Sequence, residues 1–107
     1  MAFLPMTHGG GITPFKLYLV GYGSGDLWYA LHDLDKNFTK VKLISSTSGY
    51  TQFRYYVSQG ATQTVISMTS GNTYNIPSTY YDGTNDSGSG LIFVGGPSQG
   101  AMLLEFS

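Results

Sequence analysis

The sequence predicts an all-β domain, a single antiparallel β-sandwich or small barrel of about eight strands. Short segments that alternate apolar and polar residues recur at a spacing of roughly 8–12 residues, which is typical of such folds. Clusters of turn-forming residues separate these segments, and 15 glycines and nine tyrosines favour turns and pleated surfaces over helices. We find no internal repeat, which argues against a propeller or a solenoid.

The first 14 residues are predicted to form a flexible N-terminal arm, and residues 15–107 the β-domain. Glycines 9–11 would weaken any helix or strand, and Pro5 and Pro14 flank them. Two interpretations of the arm stay open. It is either a disordered terminus or a segment that docks on a neighbouring subunit. The apolar residues that would dock are Phe3, Leu4, Met6 and Ile12.

Three strands are expected after the arm, at residues 15–22, 27–34 and 39–45. In the first, Phe15, Leu17 and Leu19 share one face, as the alternation along a strand requires. The turn after it contains GYGSG at residues 21–25, with glycines spaced as in phosphate-binding loops. Neither a helix nor a Lys-Ser/Thr pair follows, so the phosphate-loop pattern is not met.

Residues 50–69 form the clearest hairpin, with a tight two-residue turn at Gln59 and Gly60. This turn would pair Val57 with Thr62, Tyr55 with Thr64, and Phe53 with Ile66. The apolar face would then carry Phe53, Tyr55, Val57, Ile66 and Met68. The opposite face would carry Gln52, Arg54, Ser58, Gln63 and Ser67. A slip of one residue would move the apolar set into water, so this register is strongly specified.

Three more strands are expected, at residues 73–76, 91–94 and 101–106. Pro77 ends the first of them. The run LIFV at 91–94 is typical of a strand that is buried on both faces. Residues 82–90, DGTNDSGSG, form the longest polar and glycine-rich loop, and we expect it to be exposed and mobile.

Charged residues are scarce in this chain. They make up 10% of the sequence, against about 25% in ordinary soluble domains. With a formal net charge of -1, strong non-specific binding to nucleic acid is not expected. A surface of hydroxyls, amides and aromatic rings suits contact with other subunits or with sugars. No run is apolar enough for membrane insertion or a secretory signal, so we expect synthesis in the cytoplasm.

We expect neither an enzyme nor a metal or cofactor site. The chain has no cysteine, and no serine lies in a GxSxG or SxxK motif. His8 lies in the arm, and His32 and Asp33 point to opposite faces of a strand. Asp33, Asp35 and Asn37 match the start of a calcium loop, but Phe38 and Ile44 stand where that motif needs Gly and Glu. A carboxylate pair such as Asp26 with Glu105 stays open.

The small β-rich domain, the glycine-rich arm, the low charge and the Gly/Ser/Thr/Tyr surface together resemble bacteriophage virion proteins of the head-decoration or fibre-tip type. The resemblance covers the whole chain as composition, and no motif carries it. It implies a homotrimer on a larger virion lattice, with other virion proteins as partners. The arm would then be the docking element, and the protein would act by assembly in the virion.

A carbohydrate-binding or host-recognition module, such as a fibre-tip adhesin, is the alternative function. Exposed aromatic rings would stack on a glycan, and polar side chains in a nearby loop would hydrogen-bond to it. The residues predicted for this role are Trp28, Tyr50, Tyr80, Tyr81, Asn85 and Asp86. The competing interpretation is that these rings pack in the second layer of the core, with each tyrosine hydroxyl reaching the surface.

Overall fold

The computed structural model describes residues 13–21, 27–47, 50–83, 90–96 and 100–107, and within these ranges the chain is all β. Eight strands form two four-stranded antiparallel sheets, so the predicted sandwich is confirmed. The strands are β1 (Phe15–Val20), β2 (Leu27–Leu31), β3 (Lys40–Ser46), β4 (Tyr50–Tyr55), β5 (Thr64–Ser67), β6 (Thr73–Asn75), β7 (Leu91–Gly96) and β8 (Ala101–Phe106).

The strands pair in a nested pattern. β4 pairs with β5, β3 with β6, β2 with β7 and β1 with β8. The chain therefore follows a long double ribbon whose tip is the β4–β5 hairpin, and this ribbon is rolled into two sheets. Sheet A has the order β1-β8-β3-β6 and sheet B the order β2-β7-β4-β5. This arrangement is that of the eight-stranded jelly roll.

The core lies between the inner faces of the two sheets. Phe106 of β8 packs edge-on against Phe93 of β7, with ring centroids 5.9 Å apart. Phe53 of β4 packs against Tyr74 of β6 at 6.4 Å. Because β8 stacks on β7 and β6 on β4, the edge strands β1 and β2 lie on the same side of the sandwich.

The predicted hairpin register is confirmed where the strands pair. Phe53 lies opposite Ile66 and Tyr55 opposite Thr64. The predicted pairing of Val57 with Thr62 is wrong, because β4 ends at Tyr55 and β5 begins at Thr64. The carbonyl of Tyr56 instead accepts the N–H of Tyr81 at 2.7 Å. Val57 is 54% exposed and lies outside the core.

The turn itself forms at the predicted residues. The carbonyl of Ser58 accepts the N–H of Ala61 at 3.1 Å, so Gln59 and Gly60 are its two central residues. Gly60 has φ of 82°, which a side chain would disfavour. The difference from the prediction is therefore only in how far the strands extend toward this turn.

The last strand, β8, has the predicted bounds, while several other strand ends differ by one to three residues from the prediction. The second strand ends at Leu31 rather than at residue 34, because its partner β7 begins at Leu91, which lies opposite Leu31. The run 91–94 is almost fully buried, as predicted. Of the predicted mobile loop 82–90, the described residues Asp82, Gly83 and Gly90 are half-buried or buried, so their predicted exposure is wrong. Gly90 is held there by a hydrogen bond from its N–H to the carbonyl of Tyr81.

Candidate functional site

The predicted sugar-stacking residues do not form one platform. Trp28 lies on sheet B and is 55% exposed. Tyr80 is only 8% exposed and belongs to the core cluster, so its predicted role as an exposed platform is wrong. The segment around it is fixed at both ends, since the N–H of Ile76 donates to the carbonyl of Thr39 and that of Tyr81 to Tyr56. Tyr81 follows Tyr80 and is half-buried. Its carbonyl accepts the N–H of Gly90, which lies beside Leu31 at the end of β2, whereas Trp28 lies near the start of that strand.

Several predicted residues lie outside the described part of the chain. Tyr50 begins β4 opposite Gly96, but its side chain is not described. The arm and the middle of the longest loop are not described either. The residues concerned are Phe3, Leu4, Met6, Ile12, Asn85 and Asp86, together with Asp26 of the proposed carboxylate pair. Glu105, the other member of that pair, lies on β8 opposite Lys16 and Lys42.

A small charged cluster joins two loops at one end of the sandwich. Asp82 Oδ1 lies 3.5 Å from His32 Nδ1, and Asp82 Oδ2 lies 3.6 Å from Lys36 Nζ. Lys36 Nζ also lies 3.4 Å from the centroid of the Tyr80 ring, a cation–π contact. His32 thus faces Asp82 rather than its neighbour Asp33. This cluster ties the β2–β3 loop to the β6–β7 connection.

The calcium-like turn uses its oxygen atoms within the chain. Asp35 Oδ1 accepts the N–H of Asn37 at 2.9 Å, the geometry of an Asx turn. Among the described residues, no three His, Asp or Glu side chains come together as a metal site would require. The carboxylate of Asp35 is therefore accounted for by local backbone hydrogen bonding.

The outer face of sheet B carries a second polar arrangement, which we call the Trp28 face: Trp28, Gln52 and Arg54. The guanidinium carbon of Arg54 lies 5.2 Å from the centroid of the Trp28 ring. Gln52 Oε1 accepts two hydrogen bonds from Arg54, from Nε at 3.2 Å and from Nη2 at 2.6 Å. In the described part of the chain, both ion pairs are made by Asp82, so no carboxylate pairs with Arg54.

The register explains why these three side chains meet. Tyr29 faces Phe93 on the inner side of the sheet, so Trp28 and its partner Val94 face outward. Val94 is in turn opposite Gln52, and Ile92 is opposite Arg54. Ile92 and Val94 are almost fully buried although the face is outward. The side chains of the Trp28 face are their direct neighbours on the adjoining strands β2 and β4.

The exposed apolar surface of sheet A lies on β1, and we call it the β1 edge: Phe15, Tyr18 and Val20. These residues are 43%, 64% and 38% exposed. β1 pairs with β8 on one side, and no described strand pairs with its other side. Lys16 is the one charged residue of the strand. The β1 edge therefore combines exposed apolar side chains with a row of backbone groups available for pairing.

Neither a protein-family model, nor a curated protein, nor a solved structure matches the chain. Within the described ranges, no helix is long and apolar enough to cross a membrane.

Sequence reasoning missed Arg54, Gln52 and Asp82 as members of these sites. For the Trp28 face a signal was present in the apolar run 91–94. A strand of a two-layer sandwich has one face toward solvent, so apolar residues on that face need long side chains on the neighbouring strands to cover them. For Asp82 no local signal exists, because His32 and Lys36 are distant from it in the sequence.

Proposed function

We propose that this protein is a non-enzymatic structural or decoration protein of a bacteriophage virion, which acts through subunit assembly. It would be made in the host cytoplasm and form a homo-oligomer, a trimer by the resemblance, that contacts other virion proteins. The observation that carries the proposal is the β1 edge, where Phe15, Tyr18 and Val20 are exposed on a strand that pairs with β8 on one side and with no described strand on the other. Monomeric β-proteins usually protect such edges with charges, prolines or bulges.

Two further features support assembly through this edge. Residues 1–14 directly precede β1 in the sequence, so an arm that docks on a neighbouring subunit would be joined to the exposed strand. Only 10% of the chain is charged, and interface centres are depleted in charge. Jelly rolls recur among viral capsid domains, but also among lectins and cupins. The fold therefore supports the proposal by analogy alone.

The assembly surface is tested with Tyr18→Lys. This substitution places a charge on the exposed edge, and burying it in an interface would be costly. We expect the wild-type chain to be an oligomer at micromolar concentration and Tyr18→Lys to be a monomer with an unchanged circular dichroism spectrum. The measurement is mass in solution by light scattering or sedimentation velocity.

The matched control is Val65→Lys, because Val65 is also an exposed apolar residue, on the edge strand of the other sheet. This variant should keep the wild-type mass. A wild-type chain that is monomeric at micromolar concentration would count against the proposal, as would equal loss of mass in both variants.

The virion location is tested in particles of the phage that encodes the chain. Mass spectrometry of purified particles should detect the protein in many copies per particle. Its absence from washed particles would remove the virion assignment while leaving self-assembly to be judged by the mass measurement.

A further inference from the structure

The Trp28 face holds a cation beside an exposed ring, and none of the described carboxylates pairs with this cation. The indole of Trp28 is 55% exposed, and the half-buried Arg54 lies next to it on the same face. Both residues are on neighbouring parts of a rigid sheet, with β7 between their strands. A site built on strands keeps its geometry better than one built on loops.

Gln52 fixes the orientation of the guanidinium group. Its single oxygen accepts the N–H of Nε and one N–H of Nη2, at 3.2 and 2.6 Å. A guanidinium has five N–H donors, so the Nη1 pair and one N–H of Nη2 have no partner among the described residues. A neutral amide therefore orients Arg54 without neutralising its charge.

This chemistry suits a carboxylate attached to a sugar ring. The planar guanidinium fork matches a carboxylate in geometry and charge. The indole offers an electron-rich face against which the C–H groups of a pyranose can pack. We propose that Trp28, Arg54 and Gln52 form a binding site for an acidic sugar, such as a uronic or sialic acid residue of a glycan.

Other occupants fit less well. A nucleic-acid backbone needs several cations, and the chain has a net charge of -1 with one cation on this face. An apolar protein surface would remove water from Arg54 without pairing its charge, which is unfavourable. This inference is separate from assembly through the β1 edge, which lies on sheet A.

The test is binding of the full chain to matched pairs of glycans, measured by calorimetry. The probes are oligogalacturonate and sialyllactose, with the methyl ester of oligogalacturonate and lactose as their uncharged counterparts. We expect at least one acidic probe to bind. Its uncharged counterpart should bind with an affinity lower by about tenfold or more, as loss of a charged hydrogen bond predicts.

The variants assign the binding to named side chains. Arg54→Gln and Trp28→Ala should each lower affinity for the acidic probe by about tenfold or more. Arg54→Lys keeps the charge and the aliphatic stem but loses the fork, and it should also bind more weakly with the thermal midpoint unchanged. Tyr18→Ala, on the other sheet, should bind like the wild type.

Three outcomes would overturn the inference. They are no binding of either acidic probe, equal binding of acid and ester, or full affinity in Arg54→Gln. If Arg54→Gln changes the mass in solution and no acidic probe binds, the Trp28 face is a subunit interface instead. Loss of assembly in Tyr18→Lys with sugar binding intact would separate this site from the assembly surface.

Discussion

At Gly90 the fold leaves no room for a side chain. Its φ is +84°, and an added Cβ would lie 2.7 Å from the carbonyl oxygen of Leu31 and 3.1 Å from His32 Nδ1. The nearest atom belongs to the backbone of Leu31, which cannot move aside without a large cost in free energy. This glycine lets the β6–β7 connection approach the end of β2, where Asp82 meets His32.

We therefore expect Gly90→Ala to lower the free energy of unfolding by about 2 kcal/mol or more, from backbone strain and steric overlap together. The control is Gly60→Ala, at φ of +82° with open space around it. It should cost only about 1 kcal/mol, since it carries the backbone strain alone. Urea unfolding measures both, and equal costs would contradict the predicted overlap.

The hydroxyl of Tyr74 accepts a backbone hydrogen bond that favours its ionised form. The backbone N–H of Thr69 donates to its hydroxyl oxygen at 2.6 Å. This hydrogen bond holds the pKa of the Tyr74 phenol below that of a free tyrosine, although burial acts in the opposite direction. The bond also ties the turn after β5 to β6.

A lowered pKa makes the stability depend on pH in a definite direction. Between the folded and the unfolded pKa of Tyr74, the unfolded chain binds more protons, so this residue adds stability as pH rises. The gain is complete above the unfolded pKa and is lost as pH falls through the folded one. Relative to Tyr74→Phe, the wild type should gain stability with rising alkaline pH, as measured by urea unfolding. A constant difference between the two proteins across that range would contradict the prediction.

At the scale of the elements, three charged residues form a row across neighbouring strands of sheet A. Glu105 on β8 lies directly opposite Lys16 on β1 and Lys42 on β3. Opposite charges in facing positions stabilise neighbouring strands, and like charges destabilise them. In a chain with only 11 charged residues, three of them thus share one row of the sheet.

Glu105→Lys would place three lysines in this row. We expect it to lower the free energy of unfolding by about 1–2 kcal/mol, and Glu105→Gln by about half as much. Added salt should reduce both losses because the row faces solvent. Thermal unfolding at low and high salt measures this, and an effect that does not depend on salt would show that charge is not the cause.

Pairing between the two neighbouring strands of a hairpin could be predicted from sequence, and contacts between distant parts of the chain could not. The register of Phe53 with Ile66 follows from alternation and one turn, both of which are local. The end of β4 could not be predicted because the N–H of Tyr81, far along the chain, donates a hydrogen bond to the carbonyl of Tyr56. Tyr80 and Asp82 were misjudged for the same reason: composition marked a polar loop, while contacts with Lys36 and the core decide its burial.

At the scale of the whole molecule, the nested pairing makes each sheet depend on the other. Apart from β4–β5, consecutive strands belong to different sheets. The first strand pairs with the last, so β1 is held only once β8 is in place. Neither sheet is a continuous stretch of chain, and neither can be expected to remain folded alone.

Phe106 is the residue through which this dependence is tested. Its buried ring packs on Phe15 and Phe38 at 6.1 Å and on Phe93 of the other sheet at 5.9 Å. Phe106→Ala should lower the free energy of unfolding by about 3–5 kcal/mol, a large part of the roughly 5–15 kcal/mol of a small domain. Phe106→Leu, the milder control, should lose about 1.5 kcal/mol or less.

The single tryptophan, Trp28, reports on sheet B, whereas Phe106 belongs to sheet A. If the sheets unfold together, Phe106→Ala shifts the urea transition followed by Trp28 fluorescence as far as the one followed by circular dichroism. A Trp28 transition that stays at the wild-type midpoint would mean that sheet B survives without sheet A. We do not expect this result, because β7 is followed directly by β8 in the chain and Phe93 of β7 would lose the Phe106 ring against which it packs.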